Sequence, residues 1–362
     1  MGVAVEDIGT RVEAVPKKRT RRRVPDPLAS RARLDPNEGR IGWLFTAPAL
    51  IGLFVFLVVP IIMTVWVSFT DWSGITPPLS SEIVGADNYN EFLFEDGLRR
   101  KDFARAVRNN FWYVVGVVPA QTAVAFVLAV ILNQKVLKGK GFFRTAYYFP
   151  SITSSVAVTL IFVFLFQTNG LVNSVLPFQD INWFDTSNGL IHNFLGLFGV
   201  ESSPAWAETE VFSLEIWEWI SGPSVAMTAI MLLVTWTTVG TMMLIFLAGL
   251  QSISPSIEEA AMVDGASGLQ RFWGITVPMM KPTIFFVVTL GLIGTWQVFD
   301  QIYVATFGGP RKATITPAFW IYFQSFDNAA AGLGAAMAVV LFLIIMAFDW
   351  LKRRVVKDTA EV

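Results

Sequence analysis

The sequence predicts an all-α polytopic membrane protein with six transmembrane helices. Three observations carry this reading. The chain has 362 residues, of which 54% are hydrophobic and only 15% charged, against about 25% charge in an ordinary soluble domain. Six runs contain no charged residue, at 41–70, 109–134, 145–179, 219–257, 282–299 and 328–348, and each reaches the roughly 17–25 residues that a membrane helix needs. Lipid offers the backbone no hydrogen-bond partner, so only helices or closed barrels can cross it. These runs lack the polar–apolar alternation of barrel strands.

Lysine and arginine placement gives the orientation. Ten basic residues fall in 1–40, four in 135–144, two at Arg271 and Lys281, and four after the sixth run, which makes twenty on one side and leaves seven on the other. Both termini are therefore expected in the cytoplasm. Five of the seven outer basic residues lie near residue 100, where seven acids in 71–108 offset them. Residues 1–40 read as a disordered basic cytoplasmic arm whose KKRTRRR (17–23) meets anionic lipid. The first apolar stretch begins only at Ile41 and is too long for a signal peptide, so no cleaved leader is expected.

The membrane domain is expected over 41–355. The first span, about 42–69, contains Pro48 and Pro60, with Trp66 and Trp72 at an interface. The stretch 84–110 has helical spacing and is expected to lie along the outer membrane surface. Span two covers about 111–133, with Pro119 as a kink, and span three about 147–167. An external loop at 170–223 carries seven acids and no basic residue. Within it NGLVN (169–173) and NGLIHN (188–193) suggest a small local duplication, and Trp217 and Trp219 sit near the interface. His192 is expected to be a surface residue. Spans four, five and six follow at about 224–250, 282–304 and 331–350. A cytoplasmic loop at 251–281 separates four from five, and a tail occupies 356–362.

Composition also excludes chemistry. There is no cysteine and only one histidine, so disulfides, thiol catalysis and cysteine- or histidine-rich metal sites are ruled out, and no catalytic or metal-binding residue is expected. Gly139-Lys140-Gly141 lacks the glycine spacing and the Ser/Thr of a phosphate loop, so the chain is not expected to hydrolyse ATP.

Two regions carry candidate function. Polar residues inside spans are costly and are functional candidates by default. In span four these are Trp236, Thr237, Thr238 and Thr241. In span five they are Thr295, Trp296, Gln297, Asp300, Gln301 and Tyr303, with Gln297, Asp300 and Gln301 spaced i, i+3, i+4 for one helix face. Aromatic faces beside carboxylate and amide groups suit sugars. The plainer reading of the threonines is hydrogen bonding between helices. The second region is EEAAMVDGASGLQRFWGITVP (258–278). Ser256 can cap a short helix with Glu259 as its capping-box partner, placing Glu258 and Glu259 in the first turn. Gly265 then breaks the helix. Leu269, Phe272 and Trp273 expose apolar surface on a second piece, and Pro278 and Pro282 lead into span five.

This stretch resembles the EAA loop of ATP-binding cassette (ABC) importer permeases: Glu259-Ala260-Ala261, then Gly265, then Ile275-Thr276-Val277-Pro278, with Val277 where that family has leucine. GADNYNEFLF (85–94), FFRTAYYFPS (142–151), FLAGLQSISP (246–255) and FDQIYVATFGGP (299–310) resemble the carbohydrate, maltose-type branch. The loop at 170–223 is larger than in the common six-helix version. The resemblance implies the transmembrane domain of a type I ABC importer in a bacterial cell membrane. The loop would be a coupling helix that docks on a separate ATPase through Glu258, Glu259, Ala260, Ala261, Asp264, Gly265, Leu269, Phe272 and Pro278. It further implies a second permease subunit as heterodimer partner, two ATPase subunits that bind the ATP and Mg, no cofactor in this chain, and an external substrate-binding protein at the outer loops. The implied cargo is a di- or oligosaccharide, with a glycerol-phosphate or polyol as alternative. The absence of Lys and Arg from the spans favours the neutral sugar. A stand-alone secondary transporter is a further alternative, with Asp300 as its one coupling acid.

Overall fold

A computed structural model describes residues 36–134, 136–175, 181–200 and 202–355. Most of the basic arm, Lys135, Asp180, Glu201 and the tail 356–362 lie outside the described residues.

The chain divides into two compact units, Met1–Pro60 and Ile61–Val362. In the first, the described residues are helical from Pro36, so Pro36 to Arg40 belong to a helix and not to a disordered arm. Proline suits a first helical position because its missing N–H would have no partner there. The candidate span α1 (Gly39–Val67) contains Pro48 and passes through a π-turn at Phe54–Val58. Trp43, Leu44, Phe45 and Phe56 are exposed along it, an apolar surface suited to lipid.

In the second unit α2 (Asp87–Leu93) sets Phe92 against Phe103 of α3 (Leu98–Asn133), ring centroids 4.8 Å apart. The sequence reading separates 84–110 from a span starting near 111, but α3 is one helix through Pro119. Residues 98–110 contain neither glycine nor proline to stop it. Its first turns bury Phe103, Ala104, Ala106 and Asn109 in protein instead of lying on a membrane surface. At 36 residues it is about 54 Å long, well beyond the hydrocarbon core.

Span three is bent. α4 (Lys140–Ile152) and α5 (Ser155–Leu165) meet at 98°, shortly after Pro150, with Thr153 and Ser154 in extended conformations. Between α5 and the next span lie a turn of helix at Leu171–Val175, α6 (Leu190–Gly196), and a two-residue hairpin pairing β1 (Glu210–Val211) with β2 (Leu214–Glu215). Phe212 and Ser213 turn this hairpin with positive φ, as tight hairpin turns demand.

α7 (Val225–Gln251) begins at an N-cap, where the Ser224 hydroxyl accepts from the Met227 N–H at 3.0 Å. The loop helices α8 (Pro255–Val263) and α9 (Gly268–Met279) follow, and α9 meets α10 (Lys281–Trp296) at 62°. The chain continues through α11 (Asp300–Ala305), α12 (Pro317–Tyr322) and α13 (Ala331–Val355). By length and apolarity α1, α3, α7 and α13 can each cross a membrane alone, and the two bent pairs bring the total to as many as six.

The core is the seam between α3 and α7, the most extensive helix pairing in the fold. One cluster joins Tyr113 and Val117 of α3 to Ile230 and Leu233 of α7, Ile302, Phe319 and Met337. A second, nearer the loop between α7 and α10, joins Ala125 and Ala129 to Met243, Phe246, Met280 and Val287. α4 closes on α7 at Gly240, where a Cβ would run into the Tyr147 carbonyl oxygen and lie 2.8 Å from the Tyr148 Cα. Small residues permit such close helix approaches in membranes. Gly240→Val is expected to destabilise the fold by about 1–3 kcal/mol through overpacking, read as an earlier thermal unfolding transition in detergent.

Candidate functional site

Span five is not a continuous helix over 282–304. α10 stops at Trp296, Gln297 and Phe299 leave helical geometry, and α11 resumes at Asp300. The Val298 carbonyl freed by this break accepts the Thr316 hydroxyl at 3.0 Å. Gln297, Asp300 and Gln301 therefore do not share a helix face in the way their spacing suggests. The break nevertheless brings all three to one cavity of about 260 Å³, together with Thr238, Thr295, Tyr113 and Gln121. A second cavity of about 290 Å³ adjoins it through Thr238, Met242 and Gln301, and adds Thr237, Thr241, Ser151 and Ser155.

The polar groups are cross-tied. Thr238 donates to Gln121 Oε1 at 2.7 Å, and Gln301 Nε2 donates to Ser155 Oγ at 2.9 Å. Gln121 Nε2 and the Tyr113 hydroxyl are buried without a partner. Thr295 donates within its own helix, to Gly291 O at 2.8 Å. Asp300 is the one charged residue lining either cavity.

Three sequence candidates stand elsewhere. Trp296 is fully buried and packs on Phe348 at 5.0 Å. Trp236 is exposed and leans on Phe162 at 5.4 Å. Tyr303 belongs to an aromatic cluster with Phe299, Tyr322 and Phe307, all with centroids 5.2–5.4 Å from its ring. Gln121, Tyr113 and Ser155 were not singled out from the sequence. A lone glutamine within an apolar run was the available signal for Gln121.

The loop between α7 and α10 has its own local logic. α8 starts two residues earlier than the sequence suggests: Ser254 is its N-cap, Pro255 its first residue, and no side chain caps it. Ser256 does not cap it and instead shares a hydrogen bond with Ser254 Oγ at 2.8 Å. Pro255 pre-sets the helical backbone, which fixes the boundary. Gly265 has φ +80°. The Ala266 N–H donates to Ala261 O at 2.9 Å, and the Gly265 N–H to Met262 O at 3.1 Å. This is the Schellman pattern, which favours glycine at that position. The capping box sits on the next piece, where Ser267 and Gln270 exchange side-chain-to-backbone bonds.

Glu258, Glu259, Ala260, Asp264, Gly265 and Pro278 are exposed, while Ala261 is buried. Val263 is 88% exposed, Leu269 71%, Trp273 64% and Met262 51%. Phe272 departs from the reading as an exposed contact: it is half-buried and faces Phe126 of α3 at 5.9 Å. The loop thus holds itself to the membrane core by Phe272 and presents acids and a separate apolar set to the outside.

The family model described as "Binding-protein-dependent transport system inner membrane component" matches residues 121–361. The chain belongs to that family. Among its relatives, the "Probable ABC transporter permease protein YesP" of Bacillus subtilis (strain 168) is 31% identical over 307 residues, 84% of this chain and 86% of that one. The "Lactose transport system permease protein LacF" of Rhizobium radiobacter is 30% identical over 312 residues, 85% of this chain and 91% of that one. A solved bacterial alginate ABC transporter, in complex with its alginate pentasaccharide-bound periplasmic protein, matches with a TM-score of 0.60 at 21% identity, covering 89% of this chain and 96% of its own. The chain therefore has the fold of a type I ABC importer permease. It is a multi-pass membrane protein and the non-catalytic subunit type of an ABC transporter.

The segment between α11 and α12 is clasped. Lys312 pairs with the buried Asp102 at 2.6 Å. Asn109 Nδ2 donates to the Lys312 and Ile315 carbonyls at 3.1 and 3.0 Å, and Ser224 Oγ donates to Ala313 O at 3.2 Å. These bonds fix the segment that delivers Thr316 to Val298. Nearby, His192 is not a free surface residue. It stacks on Trp217 at 4.2 Å and 17°, and its Nε2 donates to the Trp217 carbonyl at 3.0 Å.

Burial lowers the His192 pKa; the bond to Trp217 opposes this, and the charge of Arg108 lowers it further. Keeping His192 neutral thus contributes stability that is whole above the unfolded value of about 6.5 and is lost as pH falls through the folded value. Amide exchange of α6 and the helical turn around Trp217 is expected to quicken as pH falls below about 6.5, after correction for intrinsic rates. His192→Phe, which keeps the stack and cannot charge, should remove that pH response.

Proposed function

We propose that this permease forms half of the translocation pathway of an ATP-driven importer for a neutral di- or oligosaccharide. The observation that carries the sugar reading is the cavity itself. Amides, hydroxyls and one carboxylate meet at the break in span five, with no lysine, arginine or histidine among the lining residues. A phosphorylated or acidic cargo would call for a cation there, and sugar hydroxyls pair with the groups present. Relatives whose names state sugar transport, such as the lactose permease, support the same class. Thr237, Thr238, Thr241, Thr295, Gln297, Asp300 and Gln301 form the pathway lining in this reading. Tyr303 stands at its outer aromatic rim, and Trp236 and Trp296 support it by packing.

Both termini lie in the cytoplasm, as the basic-residue bias favours. The cytoplasmic loop is the coupling helix. Glu258, Glu259 and Asp264 meet polar groups of a separate ATPase subunit, Ala260 and Ala261 keep the helix slim, and Gly265 allows the turn. Leu269, joined by Val263, Met262 and Trp273, fills an apolar cleft, while Phe272 and Pro278 secure the loop to the spans. ATP and Mg are bound by two such ATPases. A second permease completes the pore, and an external binding protein delivers the sugar to the outer loops. Closure of the ATPases drives alternating access.

Reconstituted alone, the permease should neither hydrolyse ATP nor take up sugar. In the assembled transporter Glu259→Lys and Gly265→Pro are expected to leave ATP hydrolysis running while labelled-sugar uptake falls to background, because proline cannot adopt φ +80°. Uptake by the isolated chain, or normal uptake by both variants, would defeat the assignment. Asp300→Ala should weaken apparent sugar affinity about tenfold, the loss of one charge-assisted hydrogen bond, in concentration-dependent uptake assays.

A further inference from the structure

The outer loop contains one stretch that neither the pathway nor the coupling loop uses. Residues 186–200, TSNGLIHNFLGLFGV, hold no charged side chain, although Asp185 and Glu201 flank them. α6 and the turn after it place Leu190, Phe194, Leu197 and Phe198 at i, i+4, i+7 and i+8, one face of a helix. Phe194 is 59% exposed, Leu197 81% and Phe198 71%. Phe194 and Phe198 touch edge to face at 5.1 Å, so the exposed surface is one patch. His192, next to that face, is the residue that stacks on Trp217.

Backbone bonds set the level of this helix. Leu190 N–H donates to Pro223 O at 2.9 Å, Ile191 N–H to Ser221 O at 3.0 Å, and Val225 N–H to Asn188 O at 3.1 Å. These tie the start of α6 within a few residues of Ser224, the cap of the membrane span α7. On the other flank Phe166, at the end of α5, meets Trp183 at 5.3 Å and Phe184 at 6.4 Å. The segment is therefore seated on the outer ends of two spans, where the bilayer interface begins. Trp183, which meets Phe166, and Trp217, which stacks on His192, flank it, the residue type enriched at that level.

We propose that α6 and the following turn are an interfacial anchor, with the lipid of the outer leaflet covering Leu190, Phe194, Leu197 and Phe198. Lipid fits better than the external binding protein. A partner that must leave in every cycle meets a polar, wet surface, whereas wholly apolar contacts belong to permanent interfaces. A face with no charge and no hydrogen-bonding side chain offers such a visitor no register. It does match the apolar side of an in-plane helix buried at the headgroup boundary. The anchor would fix the height of the outer loop and of the Ser221–Ser224 turn that starts α7.

The chain has no cysteine, so single cysteines can carry a fluorescent label in the assembled transporter in liposomes. Phe194→Cys, Leu197→Cys and Phe198→Cys are the test sites. Leu343→Cys, on an exposed lipid-type face of α13, and Glu210→Cys, at an exposed charged position on β1, are the references. Quenching by lipids carrying a nitroxide near the headgroup should exceed quenching by aqueous iodide several-fold at the three test sites, and the reverse should hold at Glu210→Cys. Iodide quenching at the test sites equal to that at Glu210→Cys would overturn the proposal. So would protection from both quenchers, or protection from iodide that arises only when the binding protein is added, since either places protein on the patch.

Discussion

One hydrogen bond holds the geometry that matters most. A carbonyl that leaves its helix inside a bilayer has no water to turn to, and leaving it unpaired is costly. At the break in span five the Val298 carbonyl meets this demand through the hydroxyl of Thr316 at 3.0 Å, a residue with no exposed surface. The same hydroxyl accepts the Phe319 N–H and so caps α12. A hydroxyl can donate once and accept as well, and both capacities are used here. The break is supported by a residue delivered to it from the segment between α11 and α12. That segment is held in turn by the Asp102–Lys312 pair, by Asn109 and by Ser224. The cavity floor, the outer clasp and the first turn of α7 are thus a single connected arrangement. Non-helical backbone at membrane depth is tolerated where it lines a cavity, and here it brings Gln297, Asp300 and Gln301 together.

Much of the fold was legible because lipid makes helix formation compulsory: four of the long uncharged runs lie in helices that can each cross a membrane alone, and two lie in bent or broken ones. The bends were less legible. Pro150 was visible, yet whether a proline only kinks a helix or ends it depends on what receives the freed groups. Pro119 lies within an unbroken α3, while the chain turns by 98° soon after Pro150. The break after Trp296 had no local warning, since its satisfaction comes from Thr316, about twenty residues away. Periodicity then assigned Gln297, Asp300 and Gln301 to a helix face that does not exist, and reached a shared location through the wrong geometry.

The loop between α7 and α10 shows the same division. Gly265 was readable because a positive φ is a demand on residue type. The cap was misplaced because Ser254 and Ser256 both satisfy the sequence rule, and only the proline between them decides. Phe272 and Trp273 are neighbouring large aromatic residues, so sequence could not tell the inward ring from the outward one. Helical geometry separates them: Phe272 turns toward Phe126 and Trp273 toward the outside. The loop therefore has two apolar sets with different destinations.

That separation bears on how a push at the loop would travel under the proposed function. An acid-and-apolar outer surface can be gripped only if the loop moves as a body with something in the membrane. Phe272 against Phe126, and the buried Met280 at the 62° bend, tie α9 to α3 and α10. From that bend α10 runs 16 residues, about 24 Å of stiff helix, and ends at the break that lines the cavity. No hinge glycine is needed along the way, because the compliant point is the non-helical stretch at Gln297 to Phe299. Displacement of the loop would be felt first at the residues that face the sugar. The Thr316 bond at the far end resists it, so the break sits between a driven rod and a fixed clasp.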